Sequence, residues 1–130
     1  MSERIVVVAA VVERNGKFLI ARRAKGTHLA GYWEFPGGKV HDGESQEAAL
    51  VREIAEELGT TVVNAWKIFH VSHTYPERVV DLHFYRAELE ADPRPILGQE
   101  IRWITRAEFR DLEFPPADSE LIDGLIHASL

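Results

Sequence analysis

The stretch that decides the fold is residues 36–60, PGGKVHDGESQEAALVREIAEELGT, a glycine-rich turn followed by a helical pattern. Ser45 is a typical helix N-cap, and Gly59 is the kind of residue that ends a helix in a left-handed conformation. These two end signals predict a helix over the segment between them, residues 46–58. On a wheel of about 100° per residue one face is apolar and is expected to contact the core. Its members are Val51, Ile54, Ala55 and Leu58.

Three glutamates, Glu53, Glu56 and Glu57, occupy another face of this helix, close to its C-terminal end. Residues three or four apart are neighbours on a helix, so each like-charged pair costs about 0.2–0.5 kcal/mol. The helix dipole also disfavours anions at this end. One interpretation is a solvated acidic face. The other is a site for Mg²⁺, which prefers carboxylate oxygens, whereas the ligand pattern of a calcium-binding EF-hand loop is absent from the sequence.

The segments around this helix predict strands, loops and two short helices. Asn15-Gly16 is a strong signal for a hairpin. The predicted strands are residues 4–13, 17–23, 33–35 (stopped by Pro36-Gly37-Gly38), 61–75, 79–89 and 101–105, and the predicted helices are 106–111 and 118–129. This mixture indicates an α+β fold in which a sheet lies between helices. Trp33, Trp66 and Trp103 are expected in the core.

Composition excludes several classes of protein. The chain has 130 residues, 45% hydrophobic and 28% charged, which is typical of a globular protein and predicts one domain over residues 1–130. No apolar run reaches the roughly 18 residues that a membrane-spanning helix needs. The absence of cysteine excludes disulfide scaffolds, thiol catalysis and cysteine-bound zinc, and agrees with the cytoplasmic location that we expect.

The negative charge is mostly local. The net charge is −6, and residues 38–60 hold six acidic and two basic side chains, so −4 of that charge lies in this segment. An acidic chain is not suited to bind nucleic acid polymers or anionic membranes non-specifically. A small polyanionic substrate is not excluded, provided that magnesium accompanies it.

The spacing of the glycine, glutamate and arginine residues in this segment resembles the signature of the Nudix hydrolases. Gly38 is followed after five residues by Glu44 and after seven more by Arg52-Glu53-Ile54-Ala55-Glu56-Glu57-Leu58-Gly59, although Thr60 replaces the hydrophobic residue that ends the signature. Flanking residues narrow the resemblance to MutT-type members, namely Arg22-Arg23, His28, Trp33 to Lys39 and Phe114-Pro115-Pro116-Ala117. The resemblance covers nearly the whole chain. It implies the Nudix fold, an α/β/α sandwich with a mixed sheet whose loop and helix carry the metal site.

The resemblance also implies an activity. MutT-type enzymes hydrolyse a nucleoside triphosphate to the monophosphate and pyrophosphate with Mg²⁺, for which Mn²⁺ can substitute. The implied substrate is 8-oxo-dGTP, so that the enzyme would cleanse the nucleotide pool and avoid mutation, with CTP or a modified dCTP as the alternative. A non-catalytic module that senses nucleotides is an alternative of another class. The implied partner is a small nucleotide, and we expect a monomer or homodimer.

The resemblance implies roles for individual residues near the signature helix. Glu53, Glu56 and Glu57 would bind the metal, with the carbonyl of Gly37 or Gly38 as a further oxygen ligand. Glu53 is the favoured general base, and Glu100 is expected as an added metal ligand or base. Arg52 would orient the glutamates through charge-assisted hydrogen bonds, or alternatively form a surface pair with Glu56. Glu44 would support the geometry of the loop and helix.

The expected substrate-binding residues are Arg23, His28, Glu34, Phe35, Lys39, Tyr75 and Asp118. Arg23 and Lys39 could contact phosphates, although an exposed position at a strand end explains Arg23 equally well. Asp118 stands where MutT-type enzymes acting on 8-oxo-dGTP carry asparagine. An ionised Asp118 only accepts hydrogen bonds, which suits cytosine, adenine or the N1/N2 edge of guanine, whereas a protonated one also donates. Alternatively Asp118 is the N-cap of the last helix.

One histidine pair invites a different interpretation, a zinc site at His70 and His73. Residues three apart on an extended strand point to opposite faces, so we do not expect these two side chains to share a metal.

Overall fold

The computed structural model describes residues 3–27 and 29–130 of the chain. Within these ranges the strands are β1 (Glu3–Val11), β2 (Glu13–Arg14), β3 (Lys17–Arg22), β4 (Trp33–Glu34), β5 (Gly37–Lys39), β6 (Val62–Tyr75), β7 (Arg78–Leu89) and β8 (Ile101–Thr105). The α-helices are α1 (Gln46–Leu58) and α2 (Ser119–Ile126), and 3-10 turns occupy Ala107–Asp111 and Pro116–Asp118. No helix in the described part of the chain is both long and apolar enough to cross a membrane.

The strands form two sheets. The first is mixed, in the order β5-β1-β7-β6, because β1 runs parallel to β7 while the other pairs are antiparallel. The second contains β2, β3 and β4, with β8 paired to β3. Helix α1 covers one face of the mixed sheet, and the second sheet and α2 pack on the other face. The predicted α+β class with a mixed sheet between helices is confirmed.

Side-chain alternation along β1 explains how one strand serves two cores. Val8 and Ala10 point to the cluster beneath α1, while Ala9 and Val11 point to the cluster that contains α2. Successive residues of a strand face opposite sides of a sheet, so a strand that is apolar throughout is expected in the middle of a layered fold. This central position is what holds β5 and α1 next to each other.

Helix α1 begins and ends as predicted. The Ser45 side chain accepts a hydrogen bond from the amide of Ala48 at 3.0 Å, and Gly59 has a φ of 63°. The predicted core face was wrong in part, since Val51 is 40% exposed and Ala55 is also exposed. The helix is rotated so that its buried residues are Ala49, Leu50, Ile54 and Leu58.

This rotation has a consequence for the glutamates. Glu53 and Glu57 lie in the row of side chains next to Leu50, Ile54 and Leu58, because residues four apart stack along a helix. They are therefore half-buried at the edge of the core, whereas the row of Val51 and Ala55 faces solvent.

Some details of the predicted strands and core needed correction. The predicted strand 4–13 is divided at Val12, so the Asn15-Gly16 turn joins only β2 to β3 and not β1 to β3. The strand predicted at residues 33–35 does stop before Pro36, as β4, but Gly37 and Gly38 then form a new strand, because they pair with β1 as part of β5. Trp66 was expected in the core but is 47% exposed, since β6 is the edge strand of its sheet.

The C-terminal predictions were correct in position but not in detail. Residues 107–111 form a 3-10 helix rather than an α-helix, and the last helix is shorter than predicted, ending at Ile126. On β6 the ring of His70 stacks on His83 at 4.2 Å, while His73 packs against Tyr75 at 4.6 Å. The two rings thus have different partners, and the expectation that His70 and His73 do not share a metal stays a prediction.

Candidate active site

The glycine turn brings the backbone of β5 against the carboxylate of Glu53. A Cβ atom added to Gly38 would lie 2.4 Å from Glu53 Cδ, and one added to Gly37 would lie 2.0 Å from the carbonyl oxygen of Val8. Real Cβ atoms do not approach other heavy atoms so closely. Gly37 is therefore needed for pairing with β1, and Gly38 for the approach of Glu53.

Arg52 joins the turn to the helix. Its guanidinium donates two hydrogen bonds to Glu44, at 2.8 and 3.0 Å, one to Glu53 at 2.9 Å and one to the carbonyl of Lys39 at 2.9 Å. Glu44 also accepts a hydrogen bond from the amide of His41 at 3.0 Å. A planar guanidinium can make these bonds at once, whereas the ammonium of a lysine could not span them.

The alternative partner of Arg52 contributes less. Glu56 lies 3.5 Å from the guanidinium, and its side chain is 58% exposed. A surface pair of this kind is weak because solvent screens it. The bonds to Glu44 and Glu53 therefore fix the orientation of Arg52, and the pair with Glu56 is secondary.

The acidic residues of the site differ in the direction in which their pKa values are shifted. The hydrogen bonds from Arg52 and from the His41 amide lower the pKa of Glu44 to about 2, so Glu44 is ionised throughout the physiological range. Burial raises the pKa of Glu57 well above its usual range, and its hydrogen bond with Glu53 and the charges of Glu53, Glu34 and Glu56 raise it further. The acidic cluster thus combines Glu44, whose charged form is stabilised by Arg52, with Glu57, whose charged form is disfavoured by burial and by the neighbouring carboxylates.

The donor set fits a hard divalent cation. The carboxylates of Glu53, Glu56 and Glu57 and the nearby carbonyls of Gly37 and Gly38 are oxygen ligands of the kind that Mg²⁺ accepts. Among the described residues, no three acidic or histidine side chains already stand in a metal-binding arrangement. Glu53 is bonded to Arg52, and Glu56 lies near the same guanidinium. Binding a cation here would therefore require movement of carboxylate side chains in this set.

A cavity of about 260 Å³ lies beside the glycine turn. It is lined by apolar residues of β1 and β7, by Gly37 and Gly38, by the acids Glu34 and Asp118, by the bases Arg23, Lys39 and Arg78, and by the aromatics Phe35 and Tyr75. Arg23 and Glu34 form an ion pair at 2.6 Å within this lining. Mixed apolar, cationic and hydrogen-bonding walls are typical of a pocket for a small charged ligand.

Asp118 is buried in the cavity wall, with 5% of its surface exposed. Burial, together with the charge of Glu34, raises the pKa of Asp118 to about 7, although Arg23 acts in the opposite direction. The alternative interpretation of Asp118 as the N-cap is correct in position, since Asp118 directly precedes α2, but in the described structure its side chain makes no capping hydrogen bond. Its carboxyl group is available to the cavity in both protonation states near neutral pH.

The two aromatic residues predicted to bind substrate differ. Tyr75 is half-buried, lines the cavity and has its pKa raised by burial, while its hydroxyl group forms a hydrogen bond with the Ala117 backbone. Phe35 also lines the cavity but is only 4% exposed. Its ring lies 5.8 Å from those of Phe84 and Phe114. Phe35 is thus a core residue whose edge reaches the cavity.

Other predicted residues lie at the margin or elsewhere. Lys39 is exposed at the cavity lining. Glu100 is in an ion pair with Arg22 at 3.2 Å and, within the described part of the chain, is not among the residues that line the cavity. His28 lies outside the described residues, so its predicted role is untested.

The sequence reasoning missed Arg78 and Leu29 in the cavity lining. Arg78 lies outside the predicted strands 61–75 and 79–89. It reaches the cavity because β7 runs parallel to β1, with Arg78 opposite Glu3. Its positive charge near the other bases was a usable signal, but a parallel register between distant segments is not visible in one sequence. Leu29 has a φ of 57°, which nothing in its residue type indicates.

The fold and the site together define a class of protein, an α+β enzyme in which a glycine turn and one helix present carboxylates and an arginine beside a cationic cavity. A family model described as "NUDIX domain" matches residues 7–124. The chain belongs to the Nudix family and is a Nudix hydrolase, an enzyme class that generally uses a divalent metal.

Its relatives include two differently named enzymes. The chain is 36% identical over 130 residues to the 8-oxo-dGTP diphosphatase of Haemophilus influenzae, with 98% of this chain and 96% of the relative covered. It is 35% identical over 123 residues to the CTP pyrophosphohydrolase of Escherichia coli, with 94% and 91% covered. A solved MutT structure from work on the Aliivibrio salmonicida and Vibrio cholerae proteins is 30% identical, with a TM-score of 0.82 and 97% and 99% covered.

Proposed function

We propose that this protein is a Mg²⁺-dependent nucleoside triphosphate pyrophosphohydrolase whose main substrate is 8-oxo-dGTP. The observation that carries the proposal is that one cavity is lined both by Asp118 and by Gly38, against which Glu53 packs. A nucleotide placed there could have its base beside Asp118 and its phosphates beside the carboxylate-bearing helix. The relatives named 8-oxo-dGTP diphosphatase support this choice of substrate. The cytoplasmic location and a monomeric or homodimeric state stay predictions.

The carboxylates of Glu53, Glu56 and Glu57, with a carbonyl of Gly37 or Gly38, would hold the metal. When bound, Mg²⁺ would neutralise phosphate charge and lower the pKa of an attacking water. Mn²⁺, with similar oxygen-ligand preferences, is expected to substitute.

The protein's own groups would then perform three tasks. Arg23, Lys39 and Arg78 supply positive charge for the triphosphate. Glu53 accepts a proton from the attacking water while the oxygen of that water bonds to a phosphorus atom of the triphosphate. The phosphoanhydride bond then breaks, which gives the monophosphate and pyrophosphate. Arg52 keeps Glu53 in place through the 2.9 Å hydrogen bond.

Glu100 is proposed as an additional metal ligand or base. In the structure its carboxylate faces Arg22, so this role requires that the ion pair open. Its ion pair is between side chains that are about half exposed, at 49% and 51%, and such pairs separate at little cost.

Asp118 decides how the base is recognised. A protonated Asp118 presents one donor and one acceptor, as the amide of asparagine does, and can therefore serve an oxidised guanine. An ionised Asp118 only accepts and suits the amino group of cytosine. Because its pKa is about 7, both forms are populated near neutral pH. Hydrolysis of CTP or a modified dCTP is therefore the second candidate function, and the 35% identity to a CTP pyrophosphohydrolase also favours it.

A panel of nucleoside triphosphates, each incubated with Mg²⁺ and with EDTA, tests the proposal. We expect monophosphate and pyrophosphate in the Mg²⁺ samples alone. Nucleotide binding without any hydrolysis would instead support a nucleotide-sensing module. The presence of all three glutamates of the signature argues against that alternative, since a module that only senses has no need of them.

A further inference from the structure

The loop between β7 and β8 closes over the C-terminal end of α1. The amide of Arg94 donates to the carbonyl of Leu58 at 2.8 Å, and the amide of Ile96 donates to the carbonyl of Glu57 at 3.2 Å. The last carbonyls of a helix have no partner inside the helix and are commonly left to solvent. Here the loop supplies their donors, and it does so at the turn that carries Glu56 and Glu57.

The side chain of Gln99 completes this contact. Its Nε2 donates to the carbonyl of Glu57 at 2.9 Å, and its Oε1 accepts from the amide of Leu97 at 2.9 Å. These partners fix the orientation of the side-chain amide. In the flipped orientation the Gln99 oxygen would face the Glu57 carbonyl oxygen, and the Gln99 NH₂ group would face the Leu97 N–H. Both ends of the Gln99 amide are therefore in use, and Gln99 directly precedes Glu100.

The position of this contact matters for the carboxylates. The final turn of a helix frays readily, and the dipole makes it an unfavourable place for Glu56 and Glu57. Hydrogen-bond donors at the carbonyls offset part of the negative end of the dipole and fix the backbone from which both side chains extend. The hydrogen bond from Gln99 to Glu57 joins residues 42 positions apart in the sequence. Because Glu100 directly follows Gln99, the same bond also places Glu100 relative to Glu57.

We propose that Gln99 is a positioning residue for the metal site, which it controls by bonding the carbonyl of Glu57. It holds the last turn of α1 where Glu53, Glu56 and Glu57 can share one cation, and it sets the distance between that turn and Glu100. This inference rests on the proposed function, because it assumes that these carboxylates bind the metal.

Two substitutions separate the contributions of the amide. Gln99→Met keeps the length of the side chain but removes both hydrogen bonds. Gln99→Glu keeps the acceptor for Leu97 and removes the donor to Glu57. Thr60→Val is the matched control. Thr60 follows α1 and is also bonded to the loop between β7 and β8, through the Ala91 amide at 3.0 Å and the Ala91 carbonyl at 3.3 Å, and neither bond involves Glu57.

Mn²⁺ binding without nucleotide is the primary measurement, made by the electron paramagnetic resonance signal of free Mn²⁺. We expect both Gln99 variants to bind Mn²⁺ about tenfold more weakly than the parent protein, the size of effect that outer residues exert on metal sites. Thr60→Val should bind as the parent does. The Mg²⁺ concentration for half-maximal turnover should shift in the same order, with the substrate KM at saturating Mg²⁺ nearly unchanged.

Three results would overturn the inference. They are a Gln99→Glu variant that binds Mn²⁺ as tightly as the parent, an equal weakening by Thr60→Val, or a parent protein that does not bind Mn²⁺ at all. If Gln99→Met fails to fold, Gln99→Glu decides alone. The proposed function is judged separately by turnover of the parent, since a parent that hydrolyses nucleotide while Gln99 variants bind metal normally defeats only the positioning role.

Discussion

Gly38 and Glu53 are packed so closely that a single methyl group on Gly38 would stand 2.4 Å from the carbon of the Glu53 carboxyl group. The glycine of the turn is thus part of the space that the carboxylate occupies. The relationship links the two halves of the signature segment and explains why its first residue has no side chain.

Gly38→Ala should therefore lower kcat by about two orders of magnitude, because a misplacement of the order of 1 Å in a catalytic group has that effect. The protein should remain folded, since the Glu53 side chain can turn away. Steady-state kinetics and a thermal melt check this. Gly16→Ala is the control: its φ of 75° makes alanine cost about 1 kcal/mol of stability, but no atom lies within 4 Å and turnover should be retained. Parental kcat in Gly38→Ala would refute the spatial role.

Glu53→Gln should lose several orders of magnitude in kcat with a smaller change in substrate KM, since a proton acceptor and metal ligand act mainly in the transition state. The matched control on the same helix is Glu47→Gln. In the parent protein Glu47 accepts a hydrogen bond from the Tyr85 hydroxyl group at 3.3 Å, and glutamine keeps an acceptor for it. We expect that variant to turn over substrate at the parental rate. Near-parental turnover in Glu53→Gln would show that the assignment of Glu53 is wrong.

The ratio of kcat/KM for 8-oxo-dGTP to that for CTP should fall as pH rises through about 7. Burial raises the pKa of Asp118 to about 7, so the form that both donates and accepts is present below that pH and the form that only accepts is present above it. In Asp118→Asn the ratio should be higher at pH 8 than in the parent and should lose this pH dependence. A parental ratio that is flat between pH 6 and 8 would exclude Asp118 as the group that selects the base.

Folding stability gives an independent check on the protonation of Asp118. A carboxyl group with a pKa above its usual value of 3.8 favours the folded state at low pH, and this contribution is lost as pH rises from 3.8 through about 7. The free energy of unfolding of the parent, taken relative to Asp118→Asn, should therefore decrease across that window. A constant difference between the two proteins would contradict the raised pKa.

Local sequence was sufficient for the centre of the site and insufficient for its surroundings. Ser45, Gly59 and the glycine turn act through contacts between near neighbours, so the helix that carries Glu53 could be predicted with its ends. The rotation of α1, which exposes Val51, depends on packing against the sheet. A helical wheel could not predict this rotation, because Leu50 and Val51 are both apolar and the wheel does not show which of them faces the sheet.

The parts that escaped prediction depend on distant segments. Arg78 reaches the cavity through parallel pairing with β1, and Gln99 reaches Glu57 through a loop whose sequence has no helical or strand pattern. The protonation of Asp118 depends on burial and on Glu34, which is 84 positions earlier in the sequence. Each of these is a tertiary relationship, and only the acidic signature itself is local.

The most direct test of the central claim is the product analysis of purified protein incubated with 8-oxo-dGTP, dGTP and CTP in the presence of Mg²⁺. We predict that 8-oxo-dGTP gives 8-oxo-dGMP and pyrophosphate with the highest kcat/KM of the three, and that EDTA abolishes the reaction until Mg²⁺ or Mn²⁺ is restored. A preference for CTP would transfer the function to the second candidate. Failure to release pyrophosphate from any of the three nucleotides would contradict the account.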